Sequence, residues 1–126
     1  MVSNFDFLKK DFPVLSNFGK MAEKYCYSDS NSCLMKLGMI GETIVNLMFT
    51  YDRIAFPHDN TAVARIDTLS REGLLTSDLV TILHGLRKVR NKAVHENYAS
   101  IADDKIFLPM AHSLCEWVMQ TYGDWN

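Results

Sequence analysis

The chain has 126 residues, a mass of 14.4 kDa and 48 % hydrophobic residues, enough for one core without disulfides or metals. Charged residues make up 22 %, and the net charge is −2 with a pI near 6.0. The first figure argues against a disordered chain, and the second excludes a polycation that coats nucleic acid by charge alone. No unbroken apolar run approaches the ~18 residues that span a bilayer, so no membrane partner is expected. The opening Met1-Val2-Ser3-Asn4-Phe5-Asp6 lacks the basic start and apolar centre of a signal peptide.

Cys26, Cys33 and Cys115 are odd in number and form no CxxC pair. Reduced, packed thiols in a cytoplasmic protein are the expectation. Cys26 and Cys33 lie seven positions apart across a turn, and zinc there would need two further ligands that the sequence does not place nearby. No metal and no cofactor are therefore expected.

Helical periodicity dominates and strand signals are scarce. A short element opens near Phe5 and breaks at Asp11-Phe12-Pro13, and a helix resumes with Pro13 in its first turn. Leu15, Phe18, Ala22 and Tyr25 give that helix a core-facing stripe. The polar turn 28–32 leads into a second helix from about Ser32 to Tyr51, with Leu34, Leu37, Gly41, Ile44 and Met48 inward. Gly38 and Gly41 cost roughly 1 kcal/mol each inside a helix, which points to close approach by a neighbour.

A loop around Pro57 precedes a short helix that starts near Thr61 and stops at Gly73. Thr76-Ser77-Asp78 opens a fourth helix to about Val94. A loop over 97–100 leads to the last helix, from about Ala102 to Tyr122, with Met110, Leu114, Trp117 and Val118 inward. Pro109 predicts a kink or a start near Phe107, and Asp103 and Asp104 read as N-cap and first-turn residues. The expected fold is all-α: a single domain over 1–126, an up-and-down bundle of four long helices plus a short one.

The informative stretch is Leu86-Arg87-Lys88-Val89-Arg90-Asn91-Lys92-Ala93-Val94-His95-Glu96. Leu79, Leu83, Leu86 and Ala93 continue one apolar seam, and Arg90 falls on it where a leucine would be expected. A bare guanidinium cannot be buried there, so it needs a carboxylate or an opening to solvent, and Glu42 is the candidate structural partner. Arg87, Asn91 and His95 share a face at four-residue spacing. Arginine suits phosphate and histidine exchanges protons near neutrality, so Arg87, Asn91 and His95, with Arg90 flanking, are candidate residues for metal-free phosphodiester cleavage.

Arg90-Asn91-Lys92-Ala93-Val94-His95 resembles the Arg-x(4–6)-His motif of the HEPN superfamily. HEPN domains are helical bundles, many of them metal-independent ribonucleases whose site forms across a dimer. The resemblance implies that Arg90 would bind the scissile phosphate while His95 handles protons. It widens through Asn4-Phe5-Asp6-Phe7-Leu8, Ala22-Glu23-Lys24-Tyr25, Leu34-Met35-Lys36-Leu37, Glu42, Gly73-Leu74-Leu75, Leu83-His84-Gly85-Leu86-Arg87 and Ala111-His112-Ser113-Leu114-Cys115-Glu116-Trp117.

Together these segments, spread over nearly the whole chain, look like the HEPN-like domain at the N-terminus of type I restriction enzyme R subunits. That implies a helical module of a DNA restriction endonuclease and helicase, serving interaction or nucleic-acid association. Its partners would be DNA or RNA, other domains or subunits of a restriction complex, and a second copy of the chain. Gly38 stands where the resemblance leads one to expect arginine. No GxxxxGK[ST] motif or nuclease carboxylate cluster is present in the sequence, so ATPase and nuclease sites would lie outside it. Trp125, beside the last residue, fits the expectation of an N-terminal piece of a longer protein.

Blander readings exist for each residue. Asn91 and His95 could satisfy the last carbonyls of the helix, with Arg90 and Glu42 as a packing device. Arg87, Lys88 and Lys92 form a basic patch with Arg90, either a solvated face or phosphate contacts. His84 and His112 read as surface or packed histidines, and His58 has no evident partner. The methionines read as gap fillers, Phe5, Phe7 and Phe12 as docking aromatics, and Trp117 as core. No Ser-His-Asp set or glycine-rich phosphate loop can be argued.

Overall fold

The computed structural model describes residues 2–124, so Trp125 lies outside the described residues. Those residues form five α-helices and no strand: α1 (Pro13–Tyr25), α2 (Ser30–Tyr51), α3 (Ala62–Arg71), α4 (Ser77–His95) and α5 (Ile101–Tyr122), after a 3-10 turn at Asp6–Leu8. Pro13 opens α1, where no amide donor is needed. Thr61, Thr76 and Ser100 cap α3, α4 and α5, each side chain accepting from the backbone three residues on. Gly73 sits at φ +77° beyond α3, a left-handed position that glycine occupies without strain.

α2 begins earlier than its apolar stripe suggests, because Asp29 caps it. Asp29 accepts from the Ser32 amide at 3.2 Å and the Ser32 hydroxyl at 2.7 Å. These bonds hold the carboxyl below its ordinary range. A carboxyl depressed in the folded state stabilises the fold above about pH 4 and loses that contribution as pH falls. Asp29→Ala should therefore lower the melting temperature at pH 7 and make little difference in strong acid, which thermal melts at the two pH values will show.

α2 is the central element, packed against α4 and α1 and, to a lesser degree, α5. Leu34, Leu37, Ile40, Ile44 and Met48 are fully buried along it. By length and composition α2 could cross a membrane, with a mean hydropathy of 1.2, which amends the expectation from unbroken apolar runs; 56 % of that window is buried inside the protein. A core helix meets the same criterion because it is covered on several sides.

The close approach anticipated from the glycines occurs between α2 and α4. A Cβ on Gly38 would lie 2.2 Å from Arg90 Cβ, and one on Gly41 would make ordinary contact with Leu86 at 3.4 Å. Phe5, Leu8 and Phe12 are buried on the core, whereas Phe7 remains 37 % exposed.

α5 starts at Ile101 and runs through Pro109 on an exposed side. The bond that proline removes is thus at the solvent face. Asp103 and Asp104 both lie in the first turn, but the N-cap is Ser100 and neither of them. Asp103 accepts from the Tyr98 hydroxyl at 2.6 Å. Asp104 is completely buried.

Candidate functional site

Between α2, α3 and α4 lies a pocket of about 70 Å³. Its apolar wall comes from Val45, Ile66 and Leu83, and its polar groups from Glu42, Asn46, Arg65, Arg87, Arg90 and Asn91. Three arginines and one carboxylate therefore meet in a protein whose net charge is −2. Guanidiniums beside an apolar wall act in a lower effective dielectric than on an open surface, which strengthens their pull on an anion.

Each arginine is held differently. Arg65 donates from Nε to Asn60 Oδ1 at 2.6 Å and from Nη1 to Asn46 Oδ1 at 2.7 Å. Its guanidinium also lies 5.0 Å from the Phe56 ring centre. Arg87 Nε donates to His84 Nδ1 at 3.4 Å, and His84 Nε2 lies 3.6 Å from Asp67 on α3. Arg90 lays its stem across Gly38 and places Nη1 3.0 Å from Glu42 Oε2. Those two side chains are 35 % and 52 % exposed, so the pair is worth only about 0–1 kcal/mol. Arg90 Nε is buried without a hydrogen-bond partner among the described residues.

The structure brings Arg87, Arg90 and Asn91 to the pocket and leaves Lys88, Lys92 and His95 outside it. His95 is the last residue of α4 and exposed, and its side chain makes no hydrogen bond among the described residues. Neither Asn91 nor His95 satisfies a terminal carbonyl. Asn31 does so instead, donating to the Ala93 and Tyr98 carbonyls at 2.9 Å. Lys92 sits 4.0 Å over the Tyr98 ring.

Arg65 was not anticipated, although its signal was present. It follows Ala62 by three positions and precedes Ile66 and Leu69 on the inner stripe of α3, the same anomaly that singles out Arg90. His112, expected as a packed or surface histidine, is half-buried. Its Nε2 lies 2.9 Å from the Asn4 carbonyl, its Nδ1 lies 3.3 Å from Glu116, and it meets Phe5 and Phe7 edge-on.

A second constellation joins the α1–α2 turn to α5. One ligand atom from each of Cys26, Cys33 and Asp104 lies within 4.8 Å of the others. Asp104 Oδ1 accepts from the Ser30 hydroxyl at 2.9 Å and Oδ2 from the Tyr27 amide at 3.3 Å. Burial, reinforced by Asp104, pushes the Cys33 and Cys26 thiols up from their ordinary range. Burial, with the Glu116 carboxylate adding to it, raises Cys115 to about 12. All three cysteines are free. The carboxylate that completes this cluster comes from α5, which sequence spacing could not reveal.

Comparison with known proteins bears on what this arrangement serves. The chain is similar to the type I restriction enzyme EcoKI endonuclease subunit of Escherichia coli K12, with 26 % identity over 118 residues. The match takes in 91 % of the chain and only 10 % of that subunit, so the chain spans about a tenth of its relative's length. No solved structure matches. A family model for a domain of unknown function, DUF4145, matches residues 20–122, which takes in all five helices apart from the first turns of α1, and the chain belongs to that family.

Proposed function

We propose that the chain is the helical module of a type I restriction R subunit and that the pocket between α2, α3 and α4 contacts a nucleic-acid phosphate. The observation that carries this is the meeting of Arg65, Arg87 and Arg90 with a single carboxylate, Glu42, in one pocket. The buried Arg90 Nε is a donor that a phosphate oxygen would satisfy. Likeness to an endonuclease subunit supplies the context. Lys88 and Lys92, one turn apart on α4 and outside the pocket, would extend the contact along a strand. The module would work in the cytoplasm beside other domains or subunits of the complex. Four long helices and the short α3 are consistent with the HEPN-like up-and-down arrangement.

A metal-independent ribonuclease draws less support from this geometry, because His95 stands outside the pocket and Arg90 is engaged by Glu42. Fluorescence anisotropy with labelled duplex DNA and single-stranded RNA, across a salt series, tests the proposal. Arg65→Ala and Arg87→Ala should each weaken binding by about tenfold and lower the log–log salt slope by about 1. Binding indifferent to both substitutions, or absent at low salt, overturns it. RNA cleavage in excess EDTA that disappears in His95→Ala would put the ribonuclease in its place.

A further inference from the structure

We propose that Cys26, Cys33 and Asp104 form a Zn2+ site with an open fourth position. Three donors from separate parts of the chain, the end of α1, the first turn of α2 and the first turn of α5, converge within 4.8 Å. Two sulfurs and one carboxylate suit a borderline-soft divalent ion and not calcium or magnesium, which prefer oxygen alone. Shifts of about 1 Å in the side chains bring such atoms to the corners of a tetrahedron around zinc, given Zn–S near 2.3 Å and Zn–O near 2.0–2.2 Å.

Asp104 is already held for this role. Its two oxygens accept from Ser30 Oγ and the Tyr27 amide, which orients the carboxylate and leaves further lone pairs for a metal. It is fully buried, and no cationic side chain forms an ion pair with it among the described residues. A buried carboxylate compensated only by neutral donors is costly. Zinc changes the balance without changing the charge of the site: one Zn2+ enters and two thiol protons leave to solvent. The electrons stay in place and no oxidant is needed. Cys26 is only part-buried, so water or an external donor reaches the fourth position from that side.

Zinc binds cysteine as the thiolate. Because both protons must be displaced, affinity should climb steeply with pH, by up to about 100-fold per unit while both thiols remain protonated. The test is a titration of the reduced chain with Zn2+ by calorimetry in buffers of different ionisation enthalpy, paired with Co2+ absorbance. The expected result is one ion per chain, two protons released near neutrality, and a thiolate-to-cobalt charge-transfer band. Cys26→Ser, at the part-exposed position, and Cys33→Ser should each weaken binding by at least about 100-fold, with circular dichroism confirming the fold. The wild-type titration stands even where a variant fails to fold. A folded, reduced wild type that shows no charge-transfer band and releases no protons overturns the proposal, and so does binding unchanged in both variants.

Discussion

Replacing Asp104 by alanine is expected to cost about 3 kcal/mol. Its carboxylate is fully buried and ties the α1–α2 turn to α5 through the Ser30 hydroxyl and the Tyr27 amide. Ser30 Oγ in turn accepts from the Ser100 amide at 2.8 Å, so the substitution loosens the start of two helices together. Removing the acceptor also leaves the Tyr27 N–H in a turn at φ +73° with no oxygen to meet. For a chain of this size the loss is a drop of roughly 10 °C in melting temperature. Thermal melts of wild type and variant at pH 7 will read it, and a drop of less than about 3 °C would show that the carboxylate is not the clasp described.

A second large effect is expected at Gly38. Gly38→Ala places a methyl 2.2 Å from Arg90 Cβ, an atom at the base of its side chain that cannot swing away. α4 must then move off α2, at an overpacking cost of about 1–3 kcal/mol that exceeds the roughly 1 kcal/mol alanine gains in a helix. The same displacement widens the pocket that Arg87 and Arg90 line, so anion binding should weaken along with stability. Gly41→Ala, one turn further along α2, is the control with the opposite sign. Its methyl meets Leu86 at an ordinary 3.4 Å, and a small gain in stability is expected. Denaturant melts of both variants decide the matter, and equal behaviour would mean that the helices can separate at Gly38 at no cost.

These two positions also separate what was legible along the chain from what was not. The inner stripe of α2, the glycine contact with α4 and the threonine caps of α3 and α4 follow from local rules that adjacent residues obey. The ends of α2 and α5 came out differently, at Ser30 and Ile101, because Asp29 and Ser100 supply the caps. Gly38, where the resemblance led one to expect arginine, instead gives Arg90 room to lie across that helix.

The candidate site was half legible. Arg90 stood out as a charge on an apolar seam, and its carboxylate neighbour on α2 could be named from the register of two helices that pack together. Arg65 carried the same anomaly on α3, but nothing local says that α3 would face the same opening as α4. Spacing along one helix put His95 in line with Arg87 and Asn91, yet the turn that separates His95 from Asn91 carries it beyond the limits of a pocket only 70 Å³ in volume.

By itself, then, the sequence determined five helices, the caps of α3 and α4 and most of the buried faces, because hydrophobic period and capping depend on residues within four or five positions of one another. The tertiary structure decided which charges share a pocket and which carboxylate reaches Cys26 and Cys33. Those meetings depend on the angles and distances at which whole helices pack, and such quantities emerge only when the entire core is assembled.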